Sequence, residues 1–107
     1  MDQKNEEIKI TSDDYIELGL LGTGSSSNVK LIYHYESEQL YALKLFFDAN
    51  KSESIKLFNR ERNNYKKLNH PFLSKYFGEL NSNTSKGLML EYIEGYSGHA
   101  DQEGLVN

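Results

Sequence analysis

The sequence predicts an α+β domain, a five-stranded antiparallel sheet with one helix packed on it. Three observations predict this. Two runs of alternating apolar residues flank a turn of glycine and serine, the hydrophobic period then lengthens to that of a helix between Ser52 and Leu68, and two more short apolar runs follow. The chain has 107 residues, room for one small domain, and its eight Tyr and five Phe supply material for a core.

The elements follow in chain order. Residues 1–14 are polar and charged and read as a flexible lead-in, residues 15–97 as the domain, and residues 98–107 as an irregular tail. From Tyr15 to Leu21 the apolar residues Ile16, Leu18 and Leu20 alternate, the pattern of a half-buried strand. Gly22 to Asn28 is a run of small residues that suits a turn. Val29, Leu31, Tyr33 and Tyr35 alternate again and predict a second strand folding back as a hairpin. After a polar turn at Glu36–Glu38, the segment from Gln39 to Phe47 is apolar almost throughout, as a central strand should be. Asn50 with Glu53 three residues on has the spacing of a capping box. Ile55, Phe58, Tyr65 and Leu68 then lie on one helical stripe, and Asn69, His70 and Pro71 end it. Two short strands are expected around Leu73–Gly78 and Gly87–Tyr92, separated by the turn-rich NSNTSKG.

Composition narrows the function. A net charge of −4 and a pI near 5.3 argue against a nucleic-acid partner, which normally meets a basic face. No apolar run approaches the roughly 18 residues that span a bilayer, and the polar start MDQKNEEIKI has no signal-peptide character, so no membrane partner is expected. The absence of Cys removes disulfides, thiol catalysis and Cys-based zinc sites, and fits an intracellular, cytoplasmic setting. His34, His70 and His99 have no ligand spacing, and no metal site is expected within the chain.

Two charges sit where charge is expensive. Lys44 is the one charged residue in the run from Leu40 to Phe47, on the strand face of Leu40, Ala42 and Phe46. Glu61 lies on the helix stripe between Phe58 and Tyr65. An unpaired buried charge costs several kcal/mol, so the two are expected to pair with each other. The remaining charges of Lys51–Lys67 read as the solvated face of the helix. Gly22 and Gly24 join two antiparallel strands rather than opening a helix, which excludes a dinucleotide-binding turn. Glycine there permits close backbone approach, so N–H groups can face phosphate oxygens, with an ammonium from a neighbouring strand meeting the same phosphates.

The stretch LGTGSSSNVKLIYHYESEQLYALKLF resembles the first three strands of a eukaryotic protein kinase, and is most similar to Ser/Thr kinases of the cyclic-nucleotide-dependent type. Gly22 and Lys44 are 22 residues apart, and 10 residues separate Glu61 from Pro71 within LNHPF, both spacings of that family. GLMLEYIEG resembles the family's fifth strand and hinge, so the likeness runs from about Tyr15 to Gly95. It implies a kinase N-lobe with an αC-type helix. It implies ATP as ligand, with Gly22, Thr23, Gly24, Ser25, Ser26 and Ser27 over the phosphates and Lys44 contacting them while paired to Glu61. Leu21, Val29 and Ala42 would roof the adenine, Leu90 would stand behind it, and the backbone of Glu91 and Ile93 would bond its edge. Tyr65 and Tyr76 fall where the family places inward spine contacts.

The departures are specific. Ser27 replaces the third glycine, Ser26 stands where an aromatic often caps the phosphates, and Ser97 is at the ribose-contact position. The sequence holds no catalytic-loop base and no Asp for Mg²⁺ of the family type; Asp48 and Asp101 lack that context. Mg²⁺ is expected with ATP, but its protein ligands are absent from this chain. The resemblance therefore implies an ATP-dependent phosphotransferase whose present 107 residues are inactive alone. Two other readings stand beside it: an interaction module docking a protein through the helix face or an exposed adenine roof of Val29 and Ala42, and a truncated product with no activity.

Overall fold

The computed structural model describes residues 7–67 and 75–94. Its elements are β1 (Ile8–Ile10), β2 (Tyr15–Thr23), β3 (Ser27–His34), β4 (Gln39–Phe46), α1 (Ser52–Lys67), β5 (Tyr76–Asn81) and β6 (Lys86–Glu91). The α+β class holds, but the sheet has six strands rather than five, in the order β1-β5-β6-β4-β3-β2. Every pairing is antiparallel except β1 on β5, where Ile8, Lys9 and Ile10 lie beside Gly78, Glu79 and Leu80. The helix-ending Asn69–Pro71, the first residues of the strand expected from Leu73, and Ser97, His99 and Asp101 lie outside the described residues.

The extra strand comes from the segment expected to be a flexible lead-in. Its consequence is a curved sheet. Six strands laid flat would put β1 and β2 roughly 24 Å apart, five spacings of about 4.8 Å. Yet the two are joined by a single tight turn, in which the Asp14 N–H donates to the Thr11 carbonyl at 3.0 Å. The Asp14 carboxylate also accepts from the Thr11 N–H at 2.7 Å. The sheet must therefore curl until its two edges approach. Ile8 and Ile10 from one edge and Tyr15 from the other accordingly pack on one cluster with Ile32, Tyr41, Leu43, Leu80 and Met89.

Consecutive residues of a strand face opposite sides. Tyr41 and Leu43 thus enter that cluster while Ala42 enters a second one on the other face, with Val29, Phe46, Phe58, Leu88 and Leu90. The central strand predicted from Gln39 is thus buried on both sides through Tyr41–Leu43. The second cluster carries the helix.

Two local expectations are corrected. Ile16, Leu18 and Leu20 are 48%, 53% and 61% exposed rather than half-buried. They lie on an edge strand whose pairing with β3 shifts register between Glu17 and Gly19 and again between Leu20 and Gly22, so the alternation no longer tracks one face. The helix cap is Lys51 rather than Asn50, because the Lys51 carbonyl accepts the first helical bond from the Ile55 N–H at 3.0 Å. A bond from Ser54 Oγ to the Phe47 carbonyl, 2.8 Å, ties this first turn to the end of β4.

Docking of β1 depends on Gly78, where a Cβ would overlap the Ile8 carbonyl. Gly78→Ala should expel β1, cost about 1–3 kcal/mol as overpacking does, and remove amide-exchange protection at Lys9 and Ile10 while Leu43 and Met89 keep theirs. Glu7, next to β1, accepts from the Tyr76 hydroxyl at 2.7 Å and lies 2.9 Å from Lys66 Nζ. Burial alone would raise its pKa, but the bonds from Tyr76 and Lys66 outweigh burial and hold it below the ordinary 4.5. A depressed carboxylate stabilises the fold fully above its unfolded value and loses that contribution as pH falls through the folded one. Urea midpoints should therefore fall less below pH 4.5 in Glu7→Gln than in the unaltered chain.

Candidate functional site

The site is built where β2, β3, β4 and α1 meet. The tip between β2 and β3 is held shut at its base: the Gly24 N–H donates to the Ser27 carbonyl at 2.8 Å, and Thr23 Oγ1 donates to Asn28 Oδ1. The Phe47 N–H donates to the Ser26 carbonyl at 2.9 Å, fastening the tip to the end of β4. The register pairs Val29 with Gly22 on one side and with Lys44 on the other, which sets Lys44 beneath the tip.

Lys44 rises from the centre of the sheet toward the helix. Its Nζ donates to Glu61 Oε1 at 2.7 Å, the pairing expected from the two misplaced charges. The side chains are 19% and 24% exposed, so this contact is neither a surface ion pair nor fully removed from water. The ammonium also lies 5.7 Å from the centroid of the Phe46 ring, within reach of a favourable cation–π contact. Phe46 in turn meets Phe58 edge to face at 5.8 Å, so the apolar packing and the ion pair share one helix–sheet contact.

Thr23, Gly24, Ser25, Ser26, Ser27, Val29 and Lys44 line a cavity of about 130 Å³. Hydroxyls, backbone amides and one ammonium are the donor set an oxyanion group requires. The volume suits phosphate groups rather than a whole nucleotide, whose pockets run about 300–1,000 Å³.

The apolar candidates gather in one cluster, and Val29 belongs both to it and to the cavity wall. Leu21, Val29, Ala42 and Leu90 share the second apolar cluster with Tyr65 and Tyr76. Val29, Ala42 and Leu90 are 7%, 8% and 5% exposed, which corrects the expectation of an exposed adenine roof. They belong to one buried cluster with Phe46, Phe58 and Leu88. Glu91 and Ile93 are exposed, and the Glu91 N–H is committed to the Lys75 carbonyl at 2.8 Å. Asp48 sits in the turn after β4 with φ of 52° and faces Lys51 at 3.9 Å, apart from the cavity. Among the described residues no cluster of His, Asp and Glu is arranged to hold a metal, and none of the helices is long and apolar enough to cross a membrane.

Sequence reasoning missed a second charged layer behind the first. Glu79 is 5% exposed, and Arg62 Nη1 lies 3.2 Å from its Oε1. Arg62 and Lys66, expected on the solvated face of α1, both point to the sheet side, Arg62 to Glu79 and Lys66 to Glu7. The rule that exposed Lys44 and Glu61 would also have found Glu79, a lone carboxylate in the apolar run from Tyr76 to Leu80.

The curled sheet, the helix and a paired lysine and glutamate beneath a glycine hairpin define an α+β lobe of the protein-kinase type. The protein kinase domain family matches residues 15–104, and the chain belongs to that family. It is 29% identical over 89 residues to a cAMP-dependent protein kinase catalytic subunit of Arthrobotrys oligospora, covering 81% of this chain and 17% of that protein. It is 30% identical over 89 residues to cAMP-dependent protein kinase type 3 of Saccharomyces cerevisiae, covering 81% of this chain and 22% of that protein. The chain thus spans about a fifth of the length of these curated relatives, as an N-lobe fragment of a Ser/Thr kinase does.

A double-mutant cycle of Lys44→Met and Glu61→Gln, read by urea unfolding, should return a coupling of about 1.5 kcal/mol, between the values for exposed pairs and for buried charged hydrogen bonds.

Proposed function

We propose that the chain is the ATP-binding lobe of a protein Ser/Thr kinase. The observation that carries this reading is the Lys44–Glu61 pair at 2.7 Å, opening onto a cavity lined by Thr23, Gly24, Ser25, Ser26 and Ser27. Glu61 orients the ammonium, and Lys44 presents it to the α- and β-phosphates as a point charge. The hairpin tip supplies backbone and hydroxyl donors around the same oxygens. Gly22 precedes the tip in β2, where its lack of a side chain keeps the backbone open to the ligand.

The adenine half of the site is less developed. Leu21, Val29 and Ala42 have the apolar character to roof a purine, with Leu90 behind it. Because the Glu91 N–H is engaged by Lys75, the purine edge falls to the Glu91 carbonyl and the backbone of Ile93. Seating adenine requires side chains of the second cluster to move aside, so affinity for this chain should be lower than for an intact two-lobed kinase. Mg²⁺ would accompany the nucleotide and neutralise its phosphates, held by residues other than those described. Phosphoryl transfer from ATP to protein then needs a general base and metal ligands from a C-terminal lobe; these residues alone provide positioning and charge. An intracellular setting accords with this reading, since the chain contains no Cys and its ligand is a cytoplasmic metabolite. The alternative of a docking module is not favoured by the roof, which is buried.

The test is a titration of the full chain with Mg²⁺ and ATP, followed by backbone NMR. Resonances of Thr23–Ser27 and Lys44 should shift, and Lys44→Ala should weaken binding at least about tenfold, as loss of a charge-assisted contact does. A folded chain whose resonances do not respond to ATP refutes the reading.

A further inference from the structure

Helix α1 has one fully buried side chain, Phe58, at 0% exposure. Leu57 and Tyr65 pack less deeply on the same cluster, so the tilt of the helix also depends on what its charged side chains grip. Among the described residues three ion pairs tie α1 to the sheet side: Glu61 to Lys44 at 2.7 Å, Arg62 to Glu79 at 3.2 Å and Lys66 to Glu7 at 2.9 Å. Two of the three lead to the N-terminal segment. Glu7 belongs to it directly, and Glu79 is shared between Arg62 and Lys9 of β1, the latter at 3.6 Å.

We propose that the N-terminal segment Glu7–Ile10 is a clamp on α1, with Glu7, Lys66, Arg62 and Glu79 acting as positioning residues for the Lys44–Glu61 pair. The segment is well anchored for this purpose. Its backbone pairs in parallel with β5, Ile10 is buried in the first cluster, and Glu7 is bonded by Tyr76 at 2.7 Å. Tyr76 remains a hydroxyl donor over the accessible pH range, because burial and the neighbouring Glu7 raise its pKa well above the usual value. Arg62 is directed toward its partners by stacking on Phe58, its guanidinium carbon 5.4 Å from the ring centroid, so the pivot and the clamp meet at one residue. Glu61 and Arg62 are adjacent in sequence. Both reach the sheet side from one helical turn, so a tilt that lifts this turn off the sheet separates Arg62 from Glu79 and Glu61 from Lys44 together.

The clamp's meaning for nucleotide chemistry rests on the proposed function above, but its mechanics do not. Both readouts are taken on the full chain without nucleotide, so the clamp can fail while ATP binding stands, and ATP binding can fail while the clamp stands. The variants are Glu7→Gln and Lys66→Met, with Lys66→Arg as the conservative replacement. Lys66 sits in the last helical turn at 44% exposure, and Glu7→Gln keeps an oxygen to accept from the Tyr76 hydroxyl, so neither change removes a buried apolar contact. Glu7→Gln and Lys66→Met should each speed amide exchange over Glu61–Tyr65 about fivefold, the scale of a lost partly exposed ion pair. They should also move the NMR signal of the Lys44 side-chain Cε toward that of an unpaired lysine. Lys66→Arg should restore both, and amides of Leu43 and Met89 should keep their rates throughout. An unmoved Lys44 signal in folded Glu7→Gln and Lys66→Met overturns the proposal. So does an equal acceleration of helix and sheet amides, which would mean general destabilisation.

Discussion

A lysine in the middle of a sheet and a glutamate on a helix can meet at 2.7 Å only if the two elements are held at one separation and one tilt. Neither charge tolerates being left alone where it stands, since each side chain is three-quarters or more withdrawn from water. The contact therefore constrains the helix as much as the helix presents the contact. Around it the polar and apolar bonds are arranged in series: Lys44 to Phe46, Phe46 to Phe58, Phe58 to Arg62, and Arg62 to Glu79. Strain at one member is passed to its neighbours, because close-packed interiors have low compressibility.

The curl of the sheet is what places these members. Because β1 and β2 are successive in the chain yet outermost in the sheet, one short turn at Thr11–Asp14 draws the edges together. One face then closes into a cluster of its own, and the other is left to receive the helix. The hairpin tip of β2 and β3 overhangs this second face, which is why the cavity opens beside Lys44. Burial of Val29 and Ala42 follows from the same arrangement: the helix-side cluster draws them into its own packing. The apolar half of the candidate site is thus closed in this chain, while the polar half beside Lys44 stays open as a cavity.

Residue by residue, legibility tracked whether a signal was local. The strands expected at Val29–Tyr35 and Gln39–Phe47, found as Ser27–His34 and Gln39–Phe46, and the helix from Ser52 were readable because their periods are short-range properties of the chain. Lys44 and Glu61 were readable because a charge inside an apolar pattern demands a partner. Ile8–Ile10 was not: three residues give too little pattern, and their strand exists only because Gly78, about seventy positions away, leaves room for the Ile8 carbonyl. The cap at Asn50 was misplaced by one residue, since the choice of Lys51 depends on how β4 turns into α1. Ile16, Leu18 and Leu20 were misplaced for a different reason, because register shifts in an edge strand are set by pairing rather than by composition.

By itself the sequence determined the element types, the family, and the two charges that must find each other, because each of these is written in spacing and side-chain chemistry along the chain. Only the tertiary structure decided that the sheet has a sixth, parallel strand, that Arg62 and Lys66 turn inward, that Glu79 is buried between helix and N-terminus, and that Val29, Ala42 and Leu90 are covered. Those outcomes depend on which distant residues arrive at the same point. The physical reason is curvature: it is a property of how six strands and one turn close together, and no window of sequence contains it.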